Sequence, residues 1–142
     1  MKKILFIATG SIAASRCSEI FELIDKEKYQ ISILLTDESK KYLKTSDIKK
    51  YVKNRIYTDK LERKNKMLHI NLSRQNDLIL VCPATANTIA KFANGYADNL
   101  ASNILLASNK KIIFVPAMNS EMWLNKINQR NIKIIKNRGY EF

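Results

Sequence analysis

Four short apolar runs punctuate the chain, at residues 4–8 (ILFIA), 31–35 (ISILL), 78–82 (LILVC) and 112–115 (IIFV). None keeps a strict apolar/polar alternation, which predicts strands covered on both faces, as in a parallel sheet between helical layers. Between these runs the spacing changes to that of helices. Ile12, Ala13, Cys17, Ile20, Phe21 and Ile24 recur at intervals of three and four, as do Ile89, Phe92 and Ala93 behind Thr88. A terminal helix is predicted over 124–136 with Ile127, Ile132 and Ile135 facing inward and Gly139 as its C-cap. Tyr140 and Phe142 then suggest the start of a further strand. Strand and helix in alternation predict an α/β fold in one domain over 1–142, a doubly wound, Rossmann-like or flavodoxin-like parallel sheet in three layers.

The pattern is weakest over 44–66, which is strongly charged and has only Ile48, Tyr51, Val52, Ile56 and Tyr57 as apolar anchors. One short helix and an exposed loop are expected there. His69, the only histidine, follows at the end of that loop, just ahead of the strand at 78–82. It is the one side chain whose unperturbed titration falls near neutrality, and a structural place at the edge of an apolar segment is its alternative role.

Each predicted strand ends in small or polar residues. Thr9-Gly10-Ser11 follow the first, Thr36, Asp37 and Ser39 the second, Pro83 to Thr88 the third, and Pro116-Ala117-Met118-Asn119 the fourth. Pro83 has no N–H to donate and is expected to stop its ladder. Gly10 permits close approach of a ligand, and Ser11 can cap the next helix. Thr36 and Ser39 can donate to a phosphate or simply cap, and the Asn119 amide can bind a carboxylate without adding charge. In a parallel sheet all four turns fall on one edge, where helix N-termini hold anionic or planar ligands. GxGxxG is missing and the chain has only three glycines, so a glycine-rich phosphate loop is excluded. These residues predict a small-molecule or cofactor-binding domain.

Composition narrows the classes. Apolar residues are 46% and charged residues 27% of the chain, ordinary for a globular protein. No apolar run approaches the roughly 18 residues of a membrane helix. The start, MKKILFIATG, has an apolar run of only five residues, Ile4 to Ala8, and reads as a first strand, not a signal peptide. Cys17 and Cys82 lack metal-ligand spacing and read as small core residues of a reducing compartment, the cytoplasm, with no metal site. The net charge is +12, from 25 Lys and Arg against 13 Asp and Glu. The lysines are scattered and aromatics do not interleave with them, so the charge points to attraction of a phosphorylated substrate and away from nucleic acid.

The stretches TGSIAA at 9–14, HINLSR at 69–74, PATANT at 83–88 and PAMNSEMW at 116–123 together resemble the homo-oligomeric flavin-containing cysteine decarboxylases, and the likeness spans essentially the whole chain. The resemblance implies bound FMN, with Gly10, Ser11, Thr36 and Ser39 on the phosphate side and Tyr42 in place of an aromatic near the flavin. It implies Thr85, Ala86, Asn87 and Thr88 as the flavin-binding turn and Met118 lining the ring. His69 matches the active-site histidine, Asn119 the asparagine that holds the substrate carboxylate, and Met122 a substrate contact. Such sites form between subunits of a trimer, often built into a dodecamer, which makes Trp123 and residues 94–103 interface candidates. The activity implied is FMN-dependent decarboxylation of a small phosphorylated, cysteine-containing substrate, 4′-phosphopantothenoylcysteine, to 4′-phosphopantetheine in coenzyme A biosynthesis. Oxidative decarboxylation of a peptide's C-terminal cysteine and a non-catalytic FMN-binding subunit are the alternatives. The family's reductive half-reaction uses a cysteine in a segment downstream of residue 142, and neither Cys17 nor Cys82 matches it. If 142 residues are the whole protein, the expectation is flavin binding with impaired or absent net turnover.

Overall fold

A computed structural model describes residues 1–53, 55–65 and 67–142. Five parallel strands, β1 (Lys2–Ala8), β2 (Tyr29–Leu35), β3 (Ile56–Tyr57), β4 (Leu78–Ala84) and β5 (Lys111–Pro116), form one sheet of order β3-β2-β1-β4-β5. The α/β parallel sheet expected from the apolar runs is therefore present. Successive residues of β1 explain why those runs do not alternate: Phe6 and Ala8 enter one core, Leu5 and Ile7 the other, and all four are fully buried.

The first core lies under a 3-10 turn (Ile12–Arg16), α1 (Cys17–Leu23) and α2 (Thr45–Val52), where Phe21 meets Phe6 edge-on with centroids 4.7 Å apart. The second lies under α4 (Leu68–Gln75), α5 (Ala86–Asn94), α6 (Leu100–Ala107) and α8 (Lys126–Asn137). Two short helices, α3 (Asp59–Lys64) and α7 (Ser120–Leu124), sit outside these layers and bury no residue fully. Glu141 bridges Ile113 in parallel, and the Phe142 ring stacks on Phe114 at 5.2 Å, so the last residues begin a further pairing as expected.

Several expectations need correction. Residues 44–66 hold two helices and an edge strand among those described, not one helix and a loop. Ile48 and Val52, four apart, are buried on one face of α2, and β3 pairs with β2 through only Ile56 and Tyr57, too short a run to show a period. His69 stands on α4, not on a loop. Pro83 does not end β4, which continues to Ala84 after a register shift between Val81 and Ala84. α5 starts at Ala86 because Thr85 caps it, before the apolar periodicity begins. What Thr36 and Ser39 introduce after β2 is only a three-residue 3-10 turn, Ser39–Lys41. Ile127 is 63% exposed: the buried stripe of α8 runs through Asn128, Asn131, Ile132 and Ile135, and one residue earlier lies about 100° round the helix.

Candidate functional site

The sheet order reverses between β1 and β4, whose connections leave in opposite directions across the sheet. The crevice outside their carboxyl ends is the usual ligand position of such sheets. Thr9 closes its floor. Its buried hydroxyl donates to the Pro83 carbonyl at 2.6 Å and accepts from the Thr85 N–H at 3.1 Å, tying the β1 and β4 exits together. The Ala117 N–H donates to the Ala84 carbonyl at 3.2 Å, which fixes the end of β5 against the same point.

Gly10 follows where a side chain has no room: a Cβ there would stand 2.5 Å from Glu38 Cβ. Ser11 caps the 3-10 turn by accepting from the Ala13 N–H at 3.2 Å. Thr85 caps α5 by accepting from the Thr88 N–H at 3.2 Å, and its hydroxyl donates to Thr88 Oγ1 at 3.0 Å. The first N–H groups of α5 have no partner within the helix and face the rim. Thr36 donates to the Ala8 carbonyl at 3.3 Å.

These elements enclose a cleft of about 390 Å³, lined by Thr9, Gly10, Ser11, Thr36 and Glu38, by Thr85, Ala86, Asn87, Thr88 and Lys91, by Asn99, and by Ala117, Met118 and Met122. That volume is in the range of small-molecule sites. The lining has the chemistry of a planar ring with an anionic tail: small residues and a thioether for the ring, hydroxyls and free helix N–H groups for the anion. Gly10, Ser11, Thr36, Thr85, Ala86, Asn87, Thr88, Met118 and Met122, singled out from sequence, are thus brought together.

Four residues singled out with them do not line the cleft. Ser39 is buried, and its hydroxyl donates to the Thr36 carbonyl at 2.8 Å. Tyr42 is 40% exposed. Asn119 caps α7, its amide oxygen accepting from the Met122 N–H at 2.9 Å, and its NH2 group has no hydrogen-bond partner among the described residues. His69 stands at the start of α4, and a helix that leads into a parallel strand starts at the carboxyl rim. Its Nδ1 lies 2.8 Å from Glu62 Oε1 on α3. Glu62 lines an adjoining depression that shares Glu38, Lys91 and Asn99 with the cleft.

Glu38 and Lys91 escaped the sequence reading, and Thr9 and Asn99, named there only within the first turn and the 94–103 segment, were not singled out as ligand contacts. Lys91 could have been found, since it follows Asn87 by four positions and shares its helix face. Its ammonium pairs with Asp98 at 3.0 Å and holds that carboxyl below its ordinary range. The two cysteines are core residues, as expected: the Cys17 thiol donates to the Cys82 carbonyl at 3.5 Å, and the Cys82 sulfur and burial push the Cys17 thiol up. Among the described residues no group of His, Cys, Asp or Glu could hold a metal, and no helix is long and apolar enough to cross a membrane.

Fold and cleft together define a Rossmann-like α/β domain with a ligand site at the switch point of its sheet. Comparison carries this further. The chain belongs to the Flavoprotein family, whose model matches residues 1–142, and within it to the flavin-dependent cysteine decarboxylases. Members of this family bind FMN. It is 35% identical over 144 residues to a probable phosphopantothenoylcysteine decarboxylase of Streptococcus mutans, covering 99% of this chain and 80% of that one. It is 36% identical over 136 residues to epidermin decarboxylase of Staphylococcus epidermidis, covering 95% and 73% respectively. A solved PPC decarboxylase mutant complexed with pantothenoylaminoethenethiol superposes with a TM-score of 0.87 at 28% identity, over 99% of this chain and 81% of that one.

Proposed function

We propose that this chain binds FMN in the cleft between β1 and β4 and decarboxylates 4′-phosphopantothenoylcysteine to 4′-phosphopantetheine, a step of coenzyme A biosynthesis. The observation that carries the reading is the Thr9 cross-tie, which joins the TGSIAA and PATANT turns into one cradle of ring-sized volume. In this reading Gly10, Ser11 and Thr36 take the phosphate side, with Ser39 supporting Thr36 from beneath. Thr85, Ala86, Asn87 and Thr88 form the flavin-binding turn, and Met118 lines the ring.

Cysteine cannot lose CO2 directly, because the carbanion left behind has nowhere to delocalise. When bound, FMN supplies the acceptor for two electrons from the thiol-bearing carbon, which makes the neighbouring carbon alpha to an electron sink, and returns them after CO2 has left to give 4′-phosphopantetheine. The chain's own residues do the rest. His69 takes the proton released in that oxidation, and the NH2 of Asn119 holds the carboxylate so that its bond to carbon is aligned for cleavage. Met122, beside both Asn119 and the cleft, packs on the substrate.

His69 and Asn119 do not line the cleft of their own chain, and the reading has them meet the cleft of a neighbouring copy in a homotrimer or a dodecamer built from trimers. Met122, Trp123, Leu124 and Ile127 are 45%, 38%, 69% and 63% exposed, an apolar face next to the cleft that a second copy would cover. Tyr42 would approach the flavin from such a neighbour.

The second reading is oxidative decarboxylation of a peptide ending in cysteine, favoured by the 36% identity to epidermin decarboxylase. Purified protein is expected to show the absorption bands of oxidised flavin. Offered both substrates, it is expected to release CO2, read by mass, from the phosphorylated one. Release from the peptide alone establishes the second reading. A flavin-bound protein inert to both is a binding subunit, and a colourless protein that takes up no FMN overturns the proposal.

A further inference from the structure

We infer that Glu62 is a positioning residue for His69, fixing which imidazole nitrogen carries the proton and which one faces the substrate. The inference rests on the reading of His69 as the proton-transfer group. Glu62 lies within α3 and His69 in the first turn of α4, so the pair spans two helices and is no ordinary i,i+4 surface contact. Glu62 Oε1 lies 2.8 Å from His69 Nδ1, and the two side chains retain only 22% and 25% of their exposure. Glu62 Oε2 is enclosed, with no hydrogen-bond partner among the described residues. A solvated ion pair would leave that oxygen to water; here the carboxylate is held in place and aimed at the imidazole. α3 is itself pinned, because Asp59 Oδ1 accepts from the Leu100 N–H at 2.8 Å where α6 begins.

A carboxylate only accepts hydrogen bonds, so Nδ1 carries the hydrogen and Nε2 keeps the lone pair. When Nε2 takes a proton from the substrate, Nδ1 retains its own, and the positive charge that results faces a carboxylate at 2.8 Å. Return of the proton from Nε2 restores the starting tautomer. This is the role of the third group behind a catalytic base, which orients it without touching substrate.

His69 is the only histidine, so protein labelled with 15N-histidine reports a single imidazole. In the flavin-loaded wild type, long-range 1H–15N spectra are expected to show Nδ1 protonated and Nε2 not. Glu62→Ala is expected to move the population to the Nε2–H tautomer. Glu62→Gln, whose amide oxygen still accepts, is expected to keep Nδ1–H. Turnover should follow the tautomer: Glu62→Ala lowers kcat roughly 10- to 100-fold, with KM within about twofold and the flavin spectrum unchanged, and Glu62→Gln recovers part of the loss. A wild type in the Nε2–H form, or a Glu62→Ala protein with unchanged tautomer or unchanged kcat, overturns the inference. A wild type inert to both substrates whose tautomer still depends on Glu62 supports the coupling and overturns the catalytic reading alone.

Discussion

At the inner rim, where β1 and β4 leave the sheet, backbone and side chains are fastened to one another. Thr9 bonds across to Pro83 and Thr85, Thr36 to Ala8, and Ser39 to Thr36, with Thr9, Thr36 and Ser39 all buried. At the outer rim the candidate chemical groups are held by single contacts. His69 has Glu62, Asn119 has one backbone N–H, and both stand on short helices outside the strands. The difference separates two tasks. The cradle for a ring and an anion is part of the sheet's own hydrogen bonding, so it cannot change without disturbing the fold. His69, the group that would move protons, is not part of that bonding, so it can be replaced without undoing the sheet edge.

That division predicts opposite phenotypes on the two sides. His69→Asn is expected to have the largest effect on chemistry, lowering CO2 release by about 10²-fold or more while the yellow colour and the urea midpoint stay at their wild-type values. Loss of flavin in that variant would place His69 in the cradle and end the comparison. On the inner side, Gly10→Ala places a Cβ 2.5 Å from Glu38 Cβ, close to backbone that must shift. Overpacking of this kind costs about 1–3 kcal/mol, so a lower urea midpoint is expected together with weaker FMN binding, read by fluorescence titration. Thr9→Val keeps the shape and removes the hydroxyl. The Pro83 carbonyl retains the Thr9 N–H at 3.3 Å, but the Thr85 N–H loses its acceptor. An unpaired, part-buried donor costs about 1–2 kcal/mol, and the flavin affinity should fall with it.

The inner rim was also the legible part. An apolar run that stops abruptly in Thr9-Gly10-Ser11 marks a strand end by composition alone, while at the third run the expected stop at Pro83 falls one residue short of Ala84; parallel topology then puts all such ends on one edge. What composition cannot show is partnership. Nothing in the chain says that Thr9 joins two turns 74 residues apart, because that bond follows from strand order. The outer rim was hidden for another reason. Over 44–66 the helices are short and their anchors few, so α3 left no periodic signal, and Glu62 was one charge among many until folding set it against His69. Ile127 shows the converse failure: its apolar character suggested an inward place in α8, but its angular position leaves it exposed.

The smallest expected effect tests whether the cradle is a sum of local caps or one connected unit. Thr85 Oγ1 accepts from the Thr88 N–H and donates to Thr88 Oγ1, so Thr85→Ala removes both bonds at the start of α5. Loss of an N-cap costs about 1 kcal/mol, and Thr85→Ser should restore most of it. With a urea slope of about 1–3 kcal/mol/M, the Ala variant's midpoint should fall by roughly 0.3–1 M with the slope unchanged. If the cap acts locally, Thr85→Ala added to Thr9→Val lowers stability by the sum of the two effects. The Thr85 N–H, however, is the group that Thr9 holds, and contacting residues couple by about 0.5–3 kcal/mol. A double variant less destabilised than that sum is therefore expected, since either change alone already frees the turn that the other would free. Strict additivity would mean that the β4 exit keeps its place without Thr9, and the inner rim would then be no more tightly joined than the outer one.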